Sequence, residues 1–159
     1  MQGPDNTLYR TEPDLLVKQP GNSWLGDWYY VPYNVKLGKK PKPEYQLVGA
    51  FNAYLLAEIQ GVWPETAWLF LKEKQYSVNL ERYVPKLQEA LDDGHVVMKS
   101  PQAPEVFISR NRCSLCPWLS YCYAEAKQTN HLSLLPGGTL TRYPTLVELG
   151  LTTVEALAD

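Results

Sequence analysis

Three side chains near the start of this 159-residue chain can do phosphate chemistry if a fold brings them together: Asp14 in PDLLVK, and Asn34 and Lys36 in VPYNVKLGKK. Side chains alternate along a β-strand, so Asn34 and Lys36, two residues apart, share a face. If the segment holding Asp14 pairs with that strand, one face carries an acid, an amide and an amine. A hard divalent cation, Mg²⁺ or Mn²⁺, takes oxygen ligands and activates water while neutralising phosphate charge. A lysine beside it steadies the attacking hydroxide or the phosphoryl oxygens. Such a face permits metal-assisted phosphodiester hydrolysis, although a hairpin displaying Asp, Asn and Lys is also commonplace without any activity.

A second constellation is Cys113, Cys116 and Cys122, spaced C-x2-C-x5-C. Clustered thiols in a chain with no secretion signal point to metal ligation rather than disulfides. Three thiolates leave a site open. His131, nine positions beyond Cys122, would complete a Cys3His zinc site, and inert thiols in an aromatic core are the bland alternative. A third feature is a lysine run, Lys36, Lys39, Lys40 and Lys42, with no acid inside it; it reads as phosphate contact or as a solvated turn. With a net charge of −2, overall charge cannot drive nucleic-acid binding, so any such contact has to come from a local run.

These residues need elements to hold them. The β-formers Trp28 to Val35 and the QPGNS turn at 19–23 predict a hairpin over 13–37, with Pro32 at a kink or edge position. Leu47, Ala50, Phe51, Tyr54, Leu55 and Ile59 recur at helical spacing, prolines precede them and Gly61 stands where a C-terminal cap belongs, which predicts a helix over about 43–60. TAWLFL and YSVNL read as two strands, and LERYVPKLQEALDDG as a helix that ends at Gly94 with Pro85 in its first turn. SPQAPE is a linker, a helix follows Pro117, and the tail forms two short helices around Gly150 with Thr152 or Thr153 as an N-cap. This order of elements gives an α/β fold with a mixed sheet. No 18-residue apolar run and no leader pattern occur, so a cytoplasmic protein with no membrane partner is expected.

With these pieces in order, PDLLVK, GDWYYVPYNVKLG, YQLVGAFNAYLLAEIQG and C-x2-C-P-W-x3-C, the chain resembles the RecB-like nucleases of the PD-(D/E)XK superfamily. The branch is the one that carries an iron–sulfur cluster and is related to CRISPR-associated exonucleases. The resemblance spans roughly residues 12 to 126. It implies a restriction-endonuclease-like mixed sheet flanked by helices with a C-terminal Cys-rich helical segment. It also implies that the N-terminal part of the fold is missing and that the chain is part of a longer protein. The division it implies is a partial nuclease-like core at 1–110, a Cys-cluster segment at 111–130 and a small helical tail at 131–159.

Carried over residue by residue, Asp14 matches the first metal-binding aspartate, Asn34 falls where the family has its second acid, and the Val35 carbonyl faces the metal. Lys36 matches the catalytic lysine, and Gln46 the glutamine of the supporting helix; no tyrosine is assigned. Cys113, Cys116 and Cys122 match three ligands of a [4Fe–4S] cluster whose fourth, upstream cysteine is absent here. The implied activity is divalent-metal-dependent DNA hydrolysis on single strands or ends, with the metal site weakened or lost because Asn34 brings no charge. The implied partners are DNA, through Lys39, Lys40 and Lys42 among others, and the rest of a longer polypeptide or a helicase-nuclease. A nonenzymatic nucleic-acid-binding module on the same fold and a zinc-binding structural domain remain open beside it.

Overall fold

The alternation of aromatic and β-branched residues around Tyr30 builds the first hairpin. In a computed structural model, which describes residues 7–136 and 140–158, strand β1 (Leu15–Ser23) pairs antiparallel with β2 (Gly26–Val35). The turn differs from expectation. QPGNS lies within β1, where Pro20 still pairs with Trp28 and a bulge intervenes before Ser23. Gly21 supplies it at φ 147, a backbone region closed to side chains with a Cβ. The reversal falls instead at Trp24 and Leu25, where Ser23 Oγ accepts from Leu25 N and donates to the Trp28 carbonyl. Pro32 pairs with Leu16, and the ladder to the next strand starts only at Tyr33, so the proline stands where β2 has a free side.

Helix α1 (Pro43–Gln60) follows, with Pro43 at its start and Gly61 closing it at φ 68 through an N–H to the Ala57 carbonyl. It crosses over to β3 (Ala67–Phe70), which lies parallel to β2, and β4 (Gln75–Val78) then turns back antiparallel. The sheet is mixed, in the order β1-β2-β3-β4. Ala50 and Ala53 of α1 pack with Ala67, Leu69 and Val78 of the sheet and with Tyr83 and Leu87 of helix α2 (Leu80–Lys99). Gly49 lets α1 close on the sheet: a Cβ there would meet Val78 Cγ2 at 3.0 Å.

Helix α2 runs straight through Gly94 to Lys99, and Pro85 sits inside it rather than in its first turn. Gly94 has no backbone feature of a cap, and the following residues continue the helix, where Tyr9 OH lies 2.7 Å from His95 Nε2 and the two rings are in contact. That tertiary tie outweighs the weak helix-breaking tendency of one glycine.

Ahead of Tyr33, β2 has no β3 neighbour, and the side chain of Gln60 takes that place. Its Oε1 accepts from Tyr30 N at 2.9 Å, and its Nε2 donates to the Tyr30 and Val62 carbonyls at 3.1 Å each. Gln60 is fully buried, and the network satisfies backbone groups that would otherwise be orphaned in the interior.

The chain divides into two units, Met1–Lys99 and Ser100–Asp159. The division falls at the linker, ahead of the expected boundary at 110, and the Cys segment and the tail share the second unit. There, α3 (Arg110–Cys113), α4 (Leu119–Gln128), α5 (Tyr143–Glu148) and α6 (Val154–Ala158) are joined by a 3₁₀ turn at Leu132–Leu134 and a bridge between His131 and Thr153. Thr153 Oγ1 accepts from Ala156 N, capping α6. Residues 1–6, 137–139 and 159 of the expected core and tail lie outside the described residues. No helix among the described residues is long and apolar enough to cross a membrane.

Candidate functional site

Pairing β1 with β2 brings Asp14, just ahead of β1, beside Asn34. Asp14 Oδ2 accepts from Val35 N at 2.8 Å and from Asn34 Nδ2 at 3.3 Å. On its other side, Asn34 Oδ1 accepts from Asn52 Nδ2 of α1 at 2.6 Å, and Asn52 Oδ1 accepts in turn from Thr11 Oγ1. Asn34 is 2% exposed and Asn52 is fully buried. The Val35 N–H holds the Asp14 carboxyl below the usual carboxylate range; desolvation opposes this, and Asn34 and the Lys36 charge add to it. An anionic Asp14 is thus anchored at the mouth of a neutral chain of amides.

This arrangement does not fit a divalent cation. The Asn34 oxygen that would face a metal is taken by Asn52, the amide is sealed from solvent, and one Asp14 oxygen already receives two hydrogen bonds. A hard cation gains most from charged oxygen ligands, and here a single carboxylate is on offer. Among the described residues no three His, Cys, Asp or Glu side chains gather closely enough to hold a metal ion.

Lys36 lies just past the end of β2, with its backbone N–H bonded to the Phe70 carbonyl and its Nζ 6.0 Å from the centre of the Tyr45 ring. Lys42 Nζ approaches the same ring at 5.7 Å. Gln46 is buried, but it donates to the Pro41 carbonyl at 3.1 Å; it ties down the lysine loop rather than reaching Asp14. Lys39 is exposed and paired with Glu73 at 2.8 Å. The Gly38 carbonyl accepts from Lys72 N, which sets the β3–β4 turn and its Lys72 and Lys74 against the same loop. The lysines therefore collect at the carboxyl ends of the parallel pair β2 and β3, where open α/β sheets commonly bind ligands.

The thiols do not gather. Cys113 Sγ accepts from Ser109 N at 3.3 Å, and Cys113 and Cys116 line one cavity while Cys122 lines another. His131 is no free ligand either: Nδ1 accepts from Ser133 N at 3.1 Å and meets Ser133 Oγ at 2.8 Å, while Nε2 lies 3.0 Å from Tyr143 OH. Among the described residues these thiols and His131 form no group of three that could hold a metal ion.

Sequence reasoning missed Thr11, Asn52, Lys72 and Lys74. Asn52 had a signal, a lone amide inside the apolar run of α1 in GAFNAYLL, which a core position tolerates only with partners. The two lysines had none, because only the β2–β3 pairing sets them beside the first run. Compared with family models and with curated proteins, the sequence gives a match to neither.

Proposed function

We propose that the chain is a nonenzymatic nucleic-acid-binding module on a restriction-endonuclease-like core of the RecB type, with an amide chain in place of the metal site. The observation that carries this reading is a lysine-bearing rim around a centre whose amide oxygen and nitrogen are both occupied. Lys36, Lys40, Lys42, Lys72 and Lys74 give a local positive field in a chain that is acidic overall, and Tyr45 among them offers a ring for a base or a sugar. Single-stranded DNA or a DNA end is the substrate class that suits a short rim rather than a long groove.

Fluorescence anisotropy with a labelled single strand and a blunt duplex tests this, alongside a cleavage gel with Mg²⁺ or Mn²⁺. Binding should weaken with salt, with a slope of about −0.7 per phosphate neutralised on a single strand. The double variant Lys40→Glu/Lys42→Glu should weaken it whatever the base sequence, with no cleavage by the parent. Metal-dependent cleavage that Asp14→Ala abolishes would restore the hydrolase reading, and absence of salt-sensitive binding would remove both.

A further inference from the structure

The second unit holds a cavity of about 580 Å³ that the nucleic-acid reading does not use. One wall is a single face of α4 and the turn before it, carrying Trp118, Tyr121, Cys122 and Glu125; the segment 103–106, with Glu105, and Tyr143 of α5 form others. Trp118 and Tyr121, three apart on that face, are 68% and 62% exposed. Large aromatic rings left in water at the mouth of a cavity are characteristic of recognition surfaces.

The charge of the lining has one sign. Glu105 and Glu125 line the cavity, and no lysine or arginine is among its described lining residues. Glu105 is held in place from behind: Oε1 accepts from Tyr143 OH and lies 3.4 Å from Nε2 of the buried His131. His131 Nδ1 accepts the Ser133 N–H, and its Nε2 faces the Glu105–Tyr143 pair. The Tyr143 hydroxyl is pushed up to about 12 by burial, by its bond to Glu105 and by the Glu105 charge, so it stays a donor and fixes the carboxylate. Glu105 itself is 64% exposed along its side chain, which leaves it open to a ligand.

The geometry points to a binding site for an organic cation of the guanidinium or alkylammonium class. The flat cation would lie against Trp118 or Tyr121 while its N–H groups reach Glu105 and Glu125. Aromatic faces attract such cations through their quadrupole, and a planar guanidinium can stack and donate to a carboxylate at once. The cation belongs either to a free small molecule or to an arginine or lysine side chain of a peptide.

Calorimetric titration of the full chain at low ionic strength separates these. The probes are methylguanidinium, butylammonium, N-acetylarginine amide and N-acetylcitrulline amide, the last matching arginine in shape without its charge. Saturable binding of the cations is expected, with the citrulline compound at least about tenfold weaker. Equal affinity for methylguanidinium and N-acetylarginine amide marks a small-molecule site, and a clear preference for the latter marks a peptide site. Glu105→Gln/Glu125→Gln, with unchanged circular dichroism, should lose the binding. Equal binding of arginine and citrulline compounds overturns the proposal, as does no saturation up to about 20 mM or undiminished binding by the folded double variant. The citrulline comparison uses the parent protein and decides even if the variant fails to fold.

Discussion

Replacing Asn34 with aspartate puts the amide chain to its most direct test. Asn52 Nδ2 would still donate to one oxygen, but the other would replace the Nδ2 that now lies 3.3 Å from Asp14 Oδ2. Two carboxylates at that separation repel by ~5 kcal/mol at an effective dielectric constant of about 20. Protonation limits the cost. Keeping one ordinary carboxyl protonated at pH 7, about three units above its unfolded value, costs ~4 kcal/mol. Asn34→Asp should therefore lose about 3–4 kcal/mol at pH 7. The introduced group has a raised folded pKa, so the folded state binds more protons than the unfolded state. The penalty is accordingly absent near pH 4, grows as pH rises, and levels off above the folded pKa. Urea denaturation of parent and variant from pH 4 to 8 reads this directly. Millimolar Mg²⁺ should raise the midpoint of the variant and leave the parent unmoved, because only the variant offers two facing carboxylates. Adding Asp14→Ala should remove both the penalty and the metal effect. A variant as stable as the parent at pH 7, with no change in pH dependence, would refute the amide chain described here.

Other consequences follow from the same contacts. Asn52→Ala orphans the Asn34 oxygen and should cost about 1–3 kcal/mol by urea denaturation. Gln60→Leu strips the partners from both Tyr30 backbone groups; about 2–4 kcal/mol is expected, with faster amide exchange at Tyr30. Gly61→Ala drives a Cβ into the Trp24 ring at a positive φ and should lower the unfolding free energy by more than about 1 kcal/mol, with partial relief when Trp24→Ala is added. Asp14 has a depressed folded pKa, so its contribution is present above about pH 4 and lost as pH falls through the folded value. The stability gap between parent and Asp14→Asn should close on acidification.

What the sequence by itself determined is local. Periodicity and terminators placed α1 from Pro43 to Gln60 with Gly61 as its cap, because one helical face and one left-handed glycine leave a signature within a few residues of each other. The order of strands and helices in the first unit was legible for the same reason. The hairpin turn was not, since QPGNS has ordinary turn chemistry and only the cross-strand register turned it into a bulge. Nor was the end of α2, which depends on a residue eighty-six positions away, Tyr9 against His95. At the candidate site, pairing of β1 with β2 brought Asp14 to Asn34, while Lys36 falls just past the end of β2. The meaning of Asn34 was decided only by α1, whose Asn52 reaches the amide across eighteen residues of sequence. A buried amide has to be satisfied somewhere, but the sequence does not say by which partner, and on that partner turns whether position 34 faces a metal or a second amide.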